Sequence, residues 1–147
     1  MTACAPQNAQ EPAMSAEQPA THPESGLAVI PLTVTSGATR HEFQVEVAQT
    51  EAEQAKGLMF RTKLGPTEGM IFPRQPADIA SFWMKNTPLP LDIIFVGTDG
   101  RILNIAANTE PYSLEPVSAI GLTETVFEIR GGRAEELGIK AGDLVEY

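Results

Sequence analysis

Short apolar segments separated by turn residues are the feature that most constrains the fold of this chain. Segments 29–34 and 43–47 alternate apolar and polar side chains and are joined through Ser36, Gly37 and Ala38, which predicts a β-hairpin. Further strands are predicted at 70–72, 79–84, 93–96, 102–106, 117–120 and 126–129, and Leu144 and Val145 follow a last turn.

Two short segments carry helix signals instead. Thr50 and Glu53 form a capping-box pattern ahead of a helix over Glu51–Lys56, and Gly57 is suited to its end. A second short helix is predicted over 133–137, ending at Gly138. Because strands dominate, the predicted fold is mainly β, a compact antiparallel β-sandwich or barrel-like single domain with one or two short helices.

The N-terminal segment differs in composition from the rest. Residues 1–26 contain no Lys or Arg, and Met1 and Met14 are their only large apolar side chains, so this segment is predicted to be a disordered tether ahead of a domain at 27–147. The small residues around Cys4 resemble the cleavage end of a bacterial lipoprotein signal peptide. Lipidation of Cys4 would make the protein exported, periplasmic and lipid-anchored; the alternative is a chance cysteine in a disordered tail.

The charge of the chain limits its partners. The net charge is -9, and nucleic acids and anionic membranes attract clusters of basic residues that this chain lacks. No apolar run approaches the ~20 residues of a membrane-spanning helix. The expected partner is a small molecule or a protein, without nucleic acid, and with membrane contact only through Cys4.

One carboxylate occupies an unusual position. Asp92 lies in the apolar run 91–96, where an ionised side chain loses hydration unless cations or hydrogen-bond donors replace the water. The nearest candidates are Lys85 and Asn86 on the preceding loop, and Arg61 after the apolar residues 58–60. These residues predict a polar site; a structural anchor made by Asp92 with Arg61 or Lys85 is the alternative.

Other residues extend this predicted ligand site. Trp83 offers an aromatic face, Glu68 could act with Asp92 as a carboxylate pair, and the apolar wall is assigned to Met59, Met70 and Met84. An enzymatic alternative uses Asp92 as the base of a hydrolase or lyase, with Arg61 or Lys85 holding an anion. Histidine-assisted catalysis is disfavoured, because His22 lies in the tail and His41 beside a turn. No cofactor is expected, although three methionine sulfurs would suit monovalent copper.

Four motifs occur in one order: residues 57–61 (GLMFR), 68–72 (EGMIF), 82–92 and 138–143 (GIKAGD). Together they resemble the family called domain of unknown function 192, over roughly residues 45–147. The resemblance implies a small, mostly β single domain, often exported in bacteria, with no established activity. Residues 134–145 also resemble, locally, the helix, turn and strand of peptide-binding PDZ domains, which keeps peptide binding as a further hypothesis.

Overall fold

The computed structural model describes residues 20–147, and within that range it contains nine strands and two short helices. In chain order they are β1 Val29–Ser36, β2 Thr39–Val47, α1 Glu51–Lys56, β3 Glu68–Asp78, β4 Ser81–Phe82, β5 Leu91–Gly97, β6 Ile102–Ala106, β7 Val117–Ser118, β8 Thr123–Arg130, α2 Arg133–Leu137 and β9 Leu144–Glu146. The prediction of a mainly β fold is confirmed.

Seven of the strands form one curled sheet, a half-barrel, in the order β6-β5-β8-β3-β2-β1-β9. Strands β4 and β7 form a separate two-stranded sheet. Neighbours in the large sheet are antiparallel except β2 and β3, which are parallel. A parallel pair needs a crossover connection, and here α1 and the loop after it supply that connection. The sequence pattern did not indicate this exception to an antiparallel sheet.

The two ends of the large sheet approach each other. The backbone N–H of Ile102 donates to the carbonyl of Asp143 (2.9 Å), and the N–H of Val145 donates to the carbonyl of Gly100 (2.8 Å). These bonds link the start of β6 to β9 and hold the sheet in its curled shape. They also satisfy backbone groups that an open sheet edge would leave unpaired.

The central strands are covered on both faces. One face contributes a core cluster that includes Phe43, Phe127 and Ile139, and the opposite face contributes a cluster that includes Phe72, Phe95 and Met84. All seven residues of β5 are consequently buried. This double coverage explains why β5 is an almost continuous apolar run instead of an alternating one.

Both helices have the bounds that the sequence predicts. At α1, the N–H of Glu53 donates to Thr50 Oγ1, and the N–H of Thr50 donates to Glu53 Oε1 (both 3.1 Å). Gly138 ends α2 with a left-handed φ of 72°, which glycine adopts at little cost. Within the described part of the chain, no helix is long and apolar enough to span a membrane.

The folded part of the chain begins earlier than predicted. Thr21 forms a β-bridge with Ala28, and the N–H of His22 donates to the carbonyl of Leu27 (2.9 Å). Residues 20–26 therefore pack on the domain, although the sequence places them in the tether. Their polar side chains hold them there, and a prediction of disorder from low apolar content does not detect such contacts. Cys4 and residues 1–19 of the predicted tether lie outside the described residues.

Candidate functional site

Asp92 is completely buried in β5 and is held by backbone donors. Its Oδ1 accepts hydrogen bonds from the N–H groups of Asn108 (2.8 Å) and Gly132 (3.0 Å), and its Oδ2 accepts one from Ala134 (2.9 Å). Three N–H groups replace the water that the carboxylate gives up. Asp92 thereby ties the loop after β6 and the start of α2 to the central sheet.

The predicted pairing of Asp92 with Arg61 or Lys85 is wrong. Among residues 20–147, no ion pair involves Asp92 or Lys85, and Arg61 pairs with other carboxylates. With no exposed surface and both oxygens engaged, Asp92 has no access to a substrate. The structure therefore gives it an anchoring role and contradicts its assignment as a ligand-binding residue or catalytic base.

Glu68 is also separated from Asp92. Gly69 and Asp92 both pair with Ile129 of β8, so Glu68, one residue before Gly69, points to the opposite face of the sheet. Glu68 is exposed, and its Oε2 accepts a hydrogen bond from the N–H of Gly65 (3.1 Å). The predicted carboxylate pair does not form.

Arg61 belongs to a buried polar cluster. Its Nη1 donates to Glu46 Oε1 (2.9 Å), and these two residues are only 5% and 2% exposed. Its Nη2 lies 3.1 Å from His22 Nε2, and its Nε lies 3.1 Å from Glu24 Oε2 without the alignment of a hydrogen bond. Residues 20–26 thus cover an ion pair that links β2 to the loop after α1.

Glu128 in β8 is the functional candidate that the sequence analysis missed. It is 4% exposed and has Met70 and Ile93 beside it on the neighbouring strands. Burial alone raises the pKa of its carboxyl to about 8, and no hydrogen bond or ion pair from the described residues reaches it. Its position between Phe127 and Ile129 is the same signal that singled out Asp92.

The Glu128 carboxyl lies in the wall of a cavity of about 210 Å³. The end of α1, the loop that follows it, β3, β4, the loop after β4 and the start of β5 supply the other walls. Three aromatic residues, three basic residues and a single acidic residue line this cavity: Phe72, Phe82, Trp83, Lys56, Arg74, Lys85 and Glu128. We refer to it below as the Glu128 cavity.

Several residues of the predicted ligand site do border the Glu128 cavity. Trp83, Lys85 and Met59 line it, and Lys85 Nζ lies 5.1 Å from the centre of the Trp83 ring. Asn86 does not line the cavity, but it contacts the loop that does. Its carbonyl accepts a hydrogen bond from the N–H of Phe60 (2.7 Å), and its side-chain amide lies 3.9 Å from Met59 Sδ.

The other two methionines of the predicted apolar wall are core residues. Met70 is completely buried, and Met84 is 2% exposed, with its sulfur accepting a hydrogen bond from Thr109 Oγ1 (3.1 Å). Neither lines the Glu128 cavity.

Arg74 is fixed at the cavity by two neighbours. Its guanidinium forms a bidentate ion pair with Asp78 and lies 5.8 Å from the centre of the Phe82 ring. The hydrogen bonds of this pair raise the pKa of Arg74 and lower that of Asp78, so both stay charged. Within residues 20–147, no such partner neutralises Lys56 or Lys85.

Comparison with known proteins gives a family and similar solved structures. The family model described as "Uncharacterized ACR, COG1430" (DUF192) matches residues 32–147. A protein of unknown function from Novosphingobium aromaticivorans DSM 12444 is 59% identical, with a TM-score of 0.87 over 94% of this chain and 99% of that chain. A Sinorhizobium meliloti 1021 protein, proposed to be a transcription regulator, is 31% identical, with a TM-score of 0.79 over 82% of this chain and 94% of that chain. No curated protein matches. The chain belongs to the DUF192 family.

Proposed function

We propose that this protein is a binding module for a small organic molecule, and that the molecule occupies the Glu128 cavity. The observation that carries the proposal is the Glu128 carboxyl, which is 4% exposed, has no ion-pair or hydrogen-bond partner among residues 20–147, and lies in a cavity lined by three aromatic residues. A ligand in the cavity can complete the hydrogen bonds of this carboxyl. Aromatic side chains together with a few convergent polar groups are typical of ligand sites.

The loop beside the cavity is fixed by its own hydrogen bonds. Thr87 Oγ1 donates to the carbonyl of Lys85, and the N–H of Thr87 donates to the carbonyl of Met84 (both 3.1 Å). Thr87 and Leu89 each precede a proline, which restricts their backbones to extended conformations. A site that is already ordered loses little conformational entropy when its ligand binds.

The cavity volume limits the size of the ligand. A volume of about 210 Å³ corresponds to about seven water molecules at their share of liquid volume. A single small ring with one or two substituents fits such a space. The proposal is therefore a metabolite-sized ligand.

The single tryptophan of the chain provides the assay. Trp83 lines the cavity, so a bound molecule is expected to change its fluorescence and to raise the melting temperature. We would screen a library of small metabolites by both methods and repeat each positive with Glu128→Leu and with Glu124→Leu. Glu124 is exposed on the same strand and is the matched control. Ligands that bind Glu128→Leu as well as the unaltered protein would contradict the proposal.

We also propose that this module is exported and held at a membrane through Cys4. The support is the small residues around Cys4 and the Pro- and Ala-rich composition up to residue 19. Expression of the natural gene in its host, with fractionation and mass spectrometry, tests this. The expected result is diacylglyceryl-modified Cys4 in the membrane fraction, and release of the Cys4→Ser protein from that fraction. An unmodified Cys4 in the mature protein would overturn the proposal.

A further inference from the structure

We propose that the ligand of the Glu128 cavity is a small carboxylate with a flat apolar body, and that Glu128 donates a hydrogen bond to its anionic group. This inference rests on the proposed function and adds the chemical class of the ligand. Three features of the cavity support it: the charges of its walls, their aromatic content and the state of Glu128.

The walls of the cavity are basic although the protein is acidic. The chain carries a net charge of -9, whereas Lys56, Arg74 and Lys85 line the cavity with only one acid, Glu128. The three basic residues come from α1, β3 and the loop after β4, so they converge from separate elements. Asp78 offsets Arg74, and the two lysines leave an excess of positive charge. Such a site favours an anion and disfavours a cation.

The aromatic residues favour a flat ligand. Phe72 and Phe82 meet edge to face, with ring centres 5.0 Å apart, and Trp83 is 49% exposed. Arg74 and Lys85 each lie near an aromatic ring, at 5.8 Å and 5.1 Å from the ring centres of Phe82 and Trp83. A flat ring placed among these walls brings its carboxylate close to the basic groups.

Glu128 supplies the remaining hydrogen bond as an uncharged acid. Desolvation raises its pKa to about 8, and no basic group lies close enough to pair with it. On the neighbouring strands Glu128 faces two apolar residues, Met70 and Ile93, and Glu46 lies beyond Met70. The charged groups across the cavity are Lys56 of α1, Arg74 of β3 and Lys85 of the loop after β4. Below pH 8 the carboxyl O–H donates to an anion; above pH 8 the ionised carboxylate repels it.

The test uses three flat probes of nearly identical shape and different charge: benzoate, benzamide and benzamidinium. Binding to the full chain is measured by Trp83 fluorescence and by calorimetry. At pH 6.5 benzoate is expected to bind at least tenfold more tightly than the other two. Its dissociation constant is expected to rise about tenfold from pH 7 to pH 9, as Glu128 loses its proton.

Two variants check the role of Glu128 in that pH dependence. Glu128→Gln keeps a donor at the same position, so benzoate binding is expected to persist and to become independent of pH. Glu124→Gln, at an exposed position of the same strand, is expected to behave like the unaltered protein. Tightest binding of benzamidinium, benzoate binding without pH dependence, or binding of none of the probes at millimolar concentration would overturn the carboxylate assignment. The proposed function is judged separately, by the metabolite screen.

Discussion

Three of the buried carboxyl groups in the described part of this protein have different surroundings, and their roles differ accordingly. Asp92, Glu46 and Glu128 are 0%, 2% and 4% exposed. Asp92 accepts three backbone hydrogen bonds, and Glu46 accepts one from Arg61. Glu128 has neither kind of partner among the described residues. The first two carboxylates are satisfied by the fold and stabilise it, whereas the third remains available to a ligand.

Replacing Asp92 by Asn is expected to reduce the free energy of unfolding by roughly 2–4 kcal/mol. The amide brings an NH₂ group towards N–H donors that now point at carboxylate oxygens, and it removes the charge that strengthens these bonds. Urea denaturation at pH 7 measures the change. Asp99→Asn is the control, because Asp99 is exposed and accepts one backbone bond, from Arg101. Equal losses in the two variants would contradict the anchoring role of Asp92.

Glu128 is expected to make the protein less stable as the pH rises from about 5 to about 8. Its pKa is about 8 in the folded chain and has its ordinary value of 4.5 in the unfolded chain. Between these values the folded state holds the extra proton, so stability falls by up to about 1.4 kcal/mol per pH unit. Glu128→Gln removes this contribution. The stability of that variant relative to the unaltered protein should therefore increase from pH 5 to pH 8, while Glu124→Gln shows no such trend.

The sequence showed where a buried carboxylate lies but not what holds it. The apolar run around Asp92 predicts burial, because this pattern is visible in the neighbouring residues alone. Its partners are N–H groups of residues 16 to 42 positions away, and residue identity carries no signal for a backbone donor. Glu128 has the same local pattern, so its burial is equally predictable from the sequence. Its lack of partners cannot be predicted in this way, because the partners of a buried side chain depend on the packing of distant elements.

At the scale of elements, local signals were sufficient for helices but not for strand ends. The caps of α1 and α2 lie within a few residues of each helix, so both helices were predicted with correct bounds. Strand β3 instead continues through Pro73 and Pro76 to Asp78, and β4 is limited to Ser81–Phe82. Pairing with β8 and β7 sets these ends, and the paired residues at these ends are 35 to 45 positions away.

The ion pair of Arg61 and Glu46 joins two elements and is expected to show strong coupling. Arg61→Met leaves Glu46 buried without its cation, which is expected to cost about 3–5 kcal/mol. Adding Glu46→Gln removes the uncompensated charge, so the double variant should lose less than the sum of the single losses. Denaturation of the unaltered protein, the two single variants and the double variant completes a double-mutant cycle and gives the coupling energy of the pair.

Two further cycles serve as controls for that prediction. Arg133 and Glu136 form a surface pair with a 2.9 Å contact, and Glu136 is 52% exposed at its side chain, so their coupling should be below about 1 kcal/mol. Arg61→Met and Asp92→Asn should be additive, because these residues do not contact each other. Coupling between Arg61 and Asp92 as large as that between Arg61 and Glu46 would contradict the assigned partners.

At the scale of the whole molecule, the Glu128 cavity exists only because distant segments meet. Its lining spans from Gln54 near the start of the domain to Glu128 near its end. The parallel pairing of β2 with β3 places the loop after α1 over the face of the sheet that holds Glu128. The mainly β class follows from short alternating segments, but this crossover depends on strand register, which the sequence pattern alone leaves open.

The N-terminal boundary of the domain is the remaining property of the whole molecule that can be tested. Residues 20–26 cover the pair of Arg61 and Glu46, and Ser25 Oγ donates to the same Glu46 oxygen that accepts from Arg61. Without this segment, both charges gain access to water and Glu46 loses one donor. A chain that starts at Leu27 should therefore have a free energy of unfolding roughly 1–3 kcal/mol lower than one that starts at Ala20. Urea denaturation measures this difference. Because the Glu128 cavity has no lining residue from 20–26, both chains should bind its ligand equally. Equal stability would restore Leu27 as the start of the domain.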